Sequence, residues 1–395
     1  MSSYPVVIIS PLVPKPEPTS AGERLVRELY FSLVKNGHKP IVIAPTPTRS
    51  LDCQYDVNYH FVPVNRNNLL LRIRDRVGTW TPNYEFLLAI KSDKRARHLI
   101  RNASIIDLQW STNILLGSSI KKMNPSAKLI GTFHDINSQR LVRRATEEEQ
   151  KIKSLIWSAQ AKISKHLDRA TAKYLQTAVV LSEKDRNLLS YKRCDRDKIE
   201  TVLPPVYLNT NLPEVRRPSE KEIIFVGTMY RWENEDAVRW FVKKVLPLVW
   251  AKDPEINFKV IGSSPSKTLV DSIAAPRVEF MGFVEDLEPT YSKATLVVAP
   301  IRLGSGVKFK TLDAILRGVP VVSTTAGAEG IANIEWITEI ANSPEKFAEA
   351  ILAIVENPER YSEKVRFARN EASSTYSQEK YLCKVNEIYG AENVF

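Results

Sequence analysis

Short apolar runs separated by amphipathic stretches occupy most of the chain. Residues 6–10, 40–44, 105–109, 128–133 and 177–181 read as buried strands, because a brief aliphatic run bounded by turn formers suits a sheet covered on both faces. Helical periods such as 23–36 lie between them, so the pattern is βαβ and the sheet parallel. Residues 207–220 interrupt it: this polar stretch has no periodicity, Pro204, Pro205, Pro213 and Pro218 bracket it, and it reads as a linker. The alternation then resumes with strand-like runs at 222–226, 257–261, 277–280, 295–299 and 319–323. The expected architecture is two doubly wound α/β domains, 1–205 and 221–377, joined by a linker at 206–220. Ligands in such domains sit at the carboxyl ends of the strands, which puts a shared site in the cleft between them. One stretch, 139–175, is a long helical pattern rich in Arg and Lys that fits either one helix or two with a bend.

Composition narrows the class. With 395 residues, 43% hydrophobic and 26% charged, the chain has the balance of a soluble globular protein of two or three domains. Residues 1–10 lead directly into the first strand without the basic flank and apolar length of a signal peptide, and no apolar run reaches membrane-span length. The expected location is the cytoplasm. Cys53, Cys194 and Cys383 are too few and too far apart for a disulfide framework or a zinc site.

The net charge of +11 is unevenly placed: residues 1–205 hold 33 Lys+Arg against 19 Asp+Glu, whereas 206–395 hold 23 against 26. The basic half therefore suits an anionic surface or substrate, with nucleic acid and membrane phospholipid as candidates. Leu69, Leu70, Ile73, Val77 and Trp80 recur at helical spacing among Arg66, Arg72, Arg74 and Arg76. That stretch reads equally as an interfacial amphipathic helix or as a core helix with a basic exterior. Aromatic-interleaved nucleic-acid motifs are lacking, so no nucleic-acid partner is expected.

The richest stretch for chemistry is 299–320. A buried strand ends, Gly304 and Gly306 form a loop, and a short helix follows, stopped by Gly318 with Pro320 beyond. A helix start carries partial positive charge and favours Asp or Glu, yet Lys308 and Lys310 stand there. A phosphate or diphosphate bound by the loop amides, the helix dipole and two ammonium groups would explain the inversion. The alternative is a core stripe of Phe309, Leu312, Ile315 and Leu316 with two solvated lysines. Asp195-Arg196-Asp197 has the spacing of a metal-binding pair, but no buried strand precedes it and it reads as a charged turn. No metal is expected.

These residues resemble a known family. Arg302, Gly304, Gly306, Lys308, Lys310, Asp313, Pro320 and Ala326-Gly327-Ala328-Glu329-Gly330 resemble the donor site of retaining GT-B-fold glycosyltransferases of family 4, in the branch serving bacterial envelope and exopolysaccharide synthesis. Phe225-Val226-Gly227-Thr228-Met229, followed by Trp232 and Asn234-Glu235-Asp236-Ala237-Val238, is similar to the first strand, loop and helix of that family's C-terminal domain. Gly131-Thr132-Phe133-His134-Asp135 is similar to a strand end that presents a histidine to the cleft, and Ser20-Ala21-Gly22 to the turn opening the first helix. The resemblance implies two Rossmann-like domains facing across a cleft, with a final helix (378–395) crossing back onto the first.

The implied roles follow the same matches. His134, Lys308 and Lys310 would be catalytic. Gly227, Arg231, Arg302, Gly304, Ser305, Gly306, Val307, Asp313 and Glu329 would hold the donor, and Ser20, Ala21, Gly22 and Asp135 would line the acceptor side or the cleft. The implied reaction moves a sugar from a UDP- or GDP-sugar to a glycan or polyprenyl-linked acceptor, with retention and without a metal or other cofactor, peripherally at the inner membrane face. The chain departs from the family where two glutamates eight residues apart are common: Ser305 takes the first place and Asp313 the second. A basic pair after Gly227 is also missing, since Thr228-Met229-Tyr230-Arg231 follows. A non-catalytic nucleotide-sugar-binding or envelope-assembly scaffold is therefore the second reading, and nucleic-acid binding through the basic half the third.

Overall fold

A computed structural model describes residues 5–18, 20–47, 54–65, 81–190, 197–206, 221–263 and 265–390. The arginine-rich stretch 66–80, the linker residues 207–220, and Asp195 and Arg196 lie outside the described residues. The chain divides into two units, Met1–Pro205 with Gln378–Phe395, and Val206–Ser377.

The first unit is built on seven parallel strands: β1 (Pro5–Ile9), β2 (Lys39–Pro45), β3 (Tyr59–Val62), β4 (Ile105–Gln109), β5 (Lys128–Phe133), β6 (Thr177–Val180) and β7 (Ile199–Thr201). Their order is β3-β2-β1-β4-β5-β6-β7, so the direction of winding reverses between β1 and β4. Both faces of the sheet are covered, which is why β1 is apolar at every position. Val7 and Ile9 pack in one layer with Phe86, Ile90 and Ile100, whereas Val6 and Ile8 pack in the other with Leu29, Leu33 and Val385. That second layer joins helix Ala21–Lys35, whose first turn is capped by Ser20 accepting from the Glu23 N–H at 3.2 Å, to helix Gln378–Tyr389 from the far end of the chain.

The long basic helical pattern resolves into two helices, Asn137–Glu147 and Lys151–Ala172. The break falls at Glu148, whose extended backbone (φ −79, ψ 118) ends the first helix. Glutamates oppose the dipole at a helix C-terminus and favour it at the next N-terminus, so Glu147, Glu148 and Glu149 suit a boundary better than an uninterrupted helix.

The second unit repeats the plan with β8 (Glu222–Val226), β9 (Asn257–Ile261), β10 (Val278–Gly282), β11 (Leu296–Ala299), β12 (Val321–Ser323) and β13 (Glu339–Ile340). All pairs are parallel, in the order β10-β9-β8-β11-β12-β13, and the reversal lies between β8 and β11. Helix Trp232–Trp240 runs through one wide turn, Phe241–Val245, into Leu246–Trp250. Pro247 explains the widening, since it has no N–H to give and its ring crowds the carbonyl four residues back. Each unit is thus a Rossmann-like α/β layer structure whose switch point, at the carboxyl ends of its central strands, is the place for a ligand.

Candidate functional site

At the carboxyl edge of the second unit, the loop after β8 and the helix after β11 meet. Helix Phe309–Leu316 begins at Lys308 and helix Trp232–Trp240 at Arg231, and neither has a side-chain cap. Ser20, Asp93, Ser182, Ser266 and Ser343 cap other helices, while Tyr84–Ser92, Asn137–Glu147 and Lys151–Ala172 also start without a side-chain cap. Two helix starts with basic cap residues in place of Ser or Asp leave N–H donors and partial positive charge available to an anion.

Lys310 is the centre of this edge. Its ammonium donates to Asn234 Oδ1 at 2.5 Å and lies 4.4 Å from the centre of the Phe225 ring. A Cβ on Gly227 would come within 2.7 Å of that ammonium, so the absence of a side chain there makes room for it. Asn234 in turn donates to the Thr228 carbonyl at 2.8 Å, which fixes its amide and aims its oxygen at the lysine. Burial pulls the Lys310 pKa down to about 7; Lys308 and Arg231 add to the shift and Glu233 opposes it. A half-buried ammonium held so near neutrality gains from any anion that arrives.

The neighbouring residues hold the loop. Gly304 and Gly306 take left-handed conformations, φ 93 and 72, that other residues adopt at a cost. The Lys308 ammonium donates to the carbonyls of Ser305 at 3.0 Å and Gly306 at 2.9 Å, and its backbone N–H donates to the Glu329 carbonyl at 3.2 Å. Thr311 donates to the Gly327 carbonyl at 2.8 Å, so the turn at 327–330 buttresses the helix start beside Val307. Two other residues named from sequence are engaged elsewhere in the unit. Arg302 forms a two-point pair with Asp236, at 2.6 and 3.2 Å, tying the loop to helix Trp232–Trp240. Asp313 lies 3.6 Å from Arg317, which also binds Glu288 at 2.7 Å and covers the Tyr291 ring. The structure therefore gathers Gly227, Gly304, Ser305, Gly306, Val307, Lys308, Lys310 and the Glu329 backbone at one edge with exposed Arg231 nearby, and ties Arg302 and Asp313 into ion pairs.

The carboxyl edge of the first unit is different. His134 follows β5 and stacks on Trp110, which follows β4; the rings are 3.7 Å apart and inclined by 5°. Trp110 has φ 68, an uncommon conformation for a bulky residue, and its N–H donates to the Thr132 carbonyl at 3.0 Å. Beyond the indole lies Gly22, where a Cβ would sit 2.6 Å from the ring. Ser20 serves as the helix cap beside it, and the Asp135 carbonyl accepts from Ser111 at 3.4 Å.

A buried polar chain sets the histidine's chemistry. Asp107 accepts from Tyr389 at 2.5 Å, from Thr132 at 3.0 Å and from the Gln109 amide nitrogen at 2.7 Å. With its nitrogen committed to Asp107, Gln109 turns its oxygen toward His134 Nε2 at 2.7 Å. That nitrogen must carry the proton, leaving Nδ1 as an acceptor. Burial pulls the His134 pKa down to about 4 against the opposing pull of Asp135, so the ring is neutral at physiological pH. Burial also lifts Asp107 to about 6 and, with help from Asp135, lifts Asp168 of helix Lys151–Ala172 to about 7. Sequence reading missed Asn234, Glu233, Asp107, Gln109, Trp110, Asp168 and Tyr389. Asp107 and Gln109 did carry a signal, being polar residues within an otherwise apolar strand.

Comparison with known proteins bears on both units. Residues 22–210 match the model of glycosyltransferase family 4, and residues 220–357 that of the glycosyl transferases group 1. Among solved structures, sucrose-phosphate synthase from Thermosynechococcus elongatus is 17% identical, covers 98% of each chain and gives a TM-score of 0.72. WaaG, a glycosyltransferase involved in lipopolysaccharide biosynthesis, is 14% identical, with 98% of this chain and 100% of that one covered and a TM-score of 0.67. Anabaena HepE in complex with UDP-glucose is 11% identical, with 98% and 99% covered and a TM-score of 0.60. These likenesses show the GT-B fold. An uncharacterized 44.6 kDa protein in the cps region of Klebsiella pneumoniae is 28% identical over 173 residues, which are 41% of this chain and 43% of that relative's length. With one family model on each unit and the GT-B fold shared over nearly the whole length, the chain belongs to the group 1, family 4 glycosyltransferases.

Proposed function

We propose that the protein transfers a sugar from a nucleoside-diphosphate sugar to a glycan or polyprenyl-linked acceptor of an envelope polysaccharide, with retention at the anomeric carbon and without a metal ion. The observation that carries this reading is the half-buried Lys310 with the buried Lys308 at the uncapped start of helix Phe309–Leu316, beside the uncapped start of helix Trp232–Trp240. As the anomeric bond breaks, negative charge develops on the leaving diphosphate. Fixed ammonium groups and backbone N–H donors in a buried site stabilise that charge more than water does. They supply the positive charge that a divalent ion would otherwise bring. In the first unit, neutral His134 offers Nδ1 to a sugar hydroxyl, with Trp110 as a flat apolar face beside it.

The relatives support the substrate class. HepE has been crystallised with UDP, with UDP and glucose, and with UDP-glucose, and TarM with UDP and α-GlcNAc-glycerol. The Klebsiella relative belongs to a cps region. Retention rests on the family resemblance.

Calorimetric titration with UDP, GDP, ADP and dTDP, without and then with magnesium, tests the reading. One nucleotide should bind selectively without metal. Lys308→Ala with Lys310→Ala should weaken it at least about a hundredfold, since charge-assisted hydrogen bonds contribute roughly 1.5–3 kcal/mol each. Unchanged affinity in the double variant would remove the site. A scaffold is the second reading, favoured by Ser305 at the usual carboxylate position and by the pairing of Asp313 with Arg317. Tight nucleotide binding with no donor turnover on native acceptor extract would select it.

A further inference from the structure

The helical pair between β5 and β6 has its apolar residues on the unexpected side. Helix Lys151–Ala172 buries Ala161, Ser164, Asp168 and Thr171, and exposes Ile152 (76%), Leu155 (71%), Ile156 (49%) and Ile163 (50%). At about 100° per residue these four fall with Ala159 in one stripe on the opposite side from the buried positions. Trp157 and Leu167, packed with Leu141 and Ala161, attach the helix to its partner Asn137–Glu147, which exposes Val142. A helix that folds only onto its own protein buries its large aliphatics and presents polar groups to water. This one does the reverse, and its stripe continues for about three turns.

The charges beside the stripe indicate what meets it. Lys151, Lys162, Lys165 and Arg169 line one flank and Lys153 the other. Glu147, Glu148 and Glu149 lie at the turn, at one end of the stripe, and Asp168 belongs to the buried face. In antiparallel register a second copy would bring the lysine flank against its own equivalent, like charge against like. An anionic bilayer instead supplies both complements, acyl chains for the aliphatic stripe and phosphates for the lysines, whose apolar stems lie along the stripe while their ammonium groups reach outward. We infer that this face of helix Lys151–Ala172 docks on an anionic lipid bilayer, lying in the interfacial plane. No helix among the described residues is long and apolar enough to cross a membrane, so the contact is one of surface docking. The inference goes beyond the transfer reaction and needs neither donor nor acceptor.

Co-sedimentation of the full chain with vesicles tests it. The protein should bind vesicles of phosphatidylcholine mixed with phosphatidylglycerol, bind pure phosphatidylcholine weakly, and release as salt rises. Leu155→Ser with Ile156→Ser should lower the vesicle affinity about tenfold or more, because apolar burial scales with area. Lys162→Glu with Lys165→Glu should lower binding to the mixed vesicles and flatten the salt dependence. These side chains are exposed, and an unchanged unfolding midpoint and nucleotide affinity would show that fold and donor site are intact, so failure here is separable from failure of the proposed activity. Equal vesicle binding by parent and Leu155→Ser/Ile156→Ser would overturn the inference. So would a concentration-dependent dimer that the same substitutions turn into a monomer with no parent binding to vesicles, since the occupant would then be a second copy.

Discussion

After β8 the chain turns through Gly227 beside a half-buried ammonium, and after β4 it turns through Trp110 beside a half-buried neutral imidazole. The two units have the same parallel order and reverse it at equivalent strands. By the general rule for such sheets, the reversal marks where each unit would take a ligand, and the residues just past the strand ends would decide which one. In the second unit two helix starts, Lys308 and Lys310 add positive charge, and a diphosphate is the matching group. In the first unit the Asp107–Gln109–His134 chain removes charge and leaves one acceptor nitrogen, which suits a hydroxyl.

The contrast breaks most sharply at Lys310. Lys310→Met keeps the stem over Phe225 and removes the charge, so diphosphate affinity should fall about 10- to 100-fold near pH 6, where the parent ammonium is protonated. The gap should narrow above pH 7, because the parent must then take up a proton to bind. Calorimetry near pH 8 in buffers of different ionisation heat should show close to one proton taken up by the parent and none by the variant. No uptake by the parent would mean that Lys310 does not face the anion. The stability sign follows from the same lowered pKa. Between about 7 and the ordinary 10.5 the unfolded chain binds more protons, so lysine-linked stability falls as pH drops through that window and levels off below 7.

A second break belongs to the first unit. Gly22→Ala would put a Cβ 2.6 Å from the Trp110 ring, forcing the indole out of its stack on His134. The expected cost is about 1–3 kcal/mol of stability, with a shift in tryptophan fluorescence and little change in nucleotide affinity. An unaltered melting curve and emission spectrum would show that the indole is not confined as described.

Much of this was legible in the chain, and the limits were physical. Central strands such as β1 and β4 stand out because burial on both faces makes them continuous apolar runs, whereas β3, β7 and β13 are short edge strands with one neighbour each and little pattern to detect. Lys308 and Lys310 were visible because they carry the wrong sign for a helix start. Asn234, which accepts the Lys310 hydrogen bond, lies 76 residues earlier, and Tyr389 reaches Asp107 across 282 residues. Such pairs exist only once two helices, or a helix and a strand, have been brought together, and no local spacing announces them. The two helices at 137–172 show the converse limit. Their periodicity gave helices, yet which stripe faces inward depends on the packing of Ala161, Ser164, Asp168 and Thr171, and hydrophobicity alone would have chosen the other side.

The smallest expected effect sharpens the contrast from the far end of the polar chain. Tyr389→Phe removes one hydrogen bond to Asp107 while keeping the ring in the layer with Val385 and Ile388. The loss should be about 1 kcal/mol. Asp107 already sits near 6 because it is buried, and the Tyr389 hydroxyl is the strongest of the contacts holding it down, so the substitution should raise it further. An acid whose folded pKa lies above its unfolded value binds more protons in the folded state, and its contribution to stability is lost as pH rises from about 4 to the folded pKa. Denaturant midpoints measured across that range should therefore level off at a higher pH in the variant than in the parent. A pH profile displaced downward only by a constant would mean that Tyr389 packs but does not tune Asp107, and that the path from the last helix to His134 stops at Gln109.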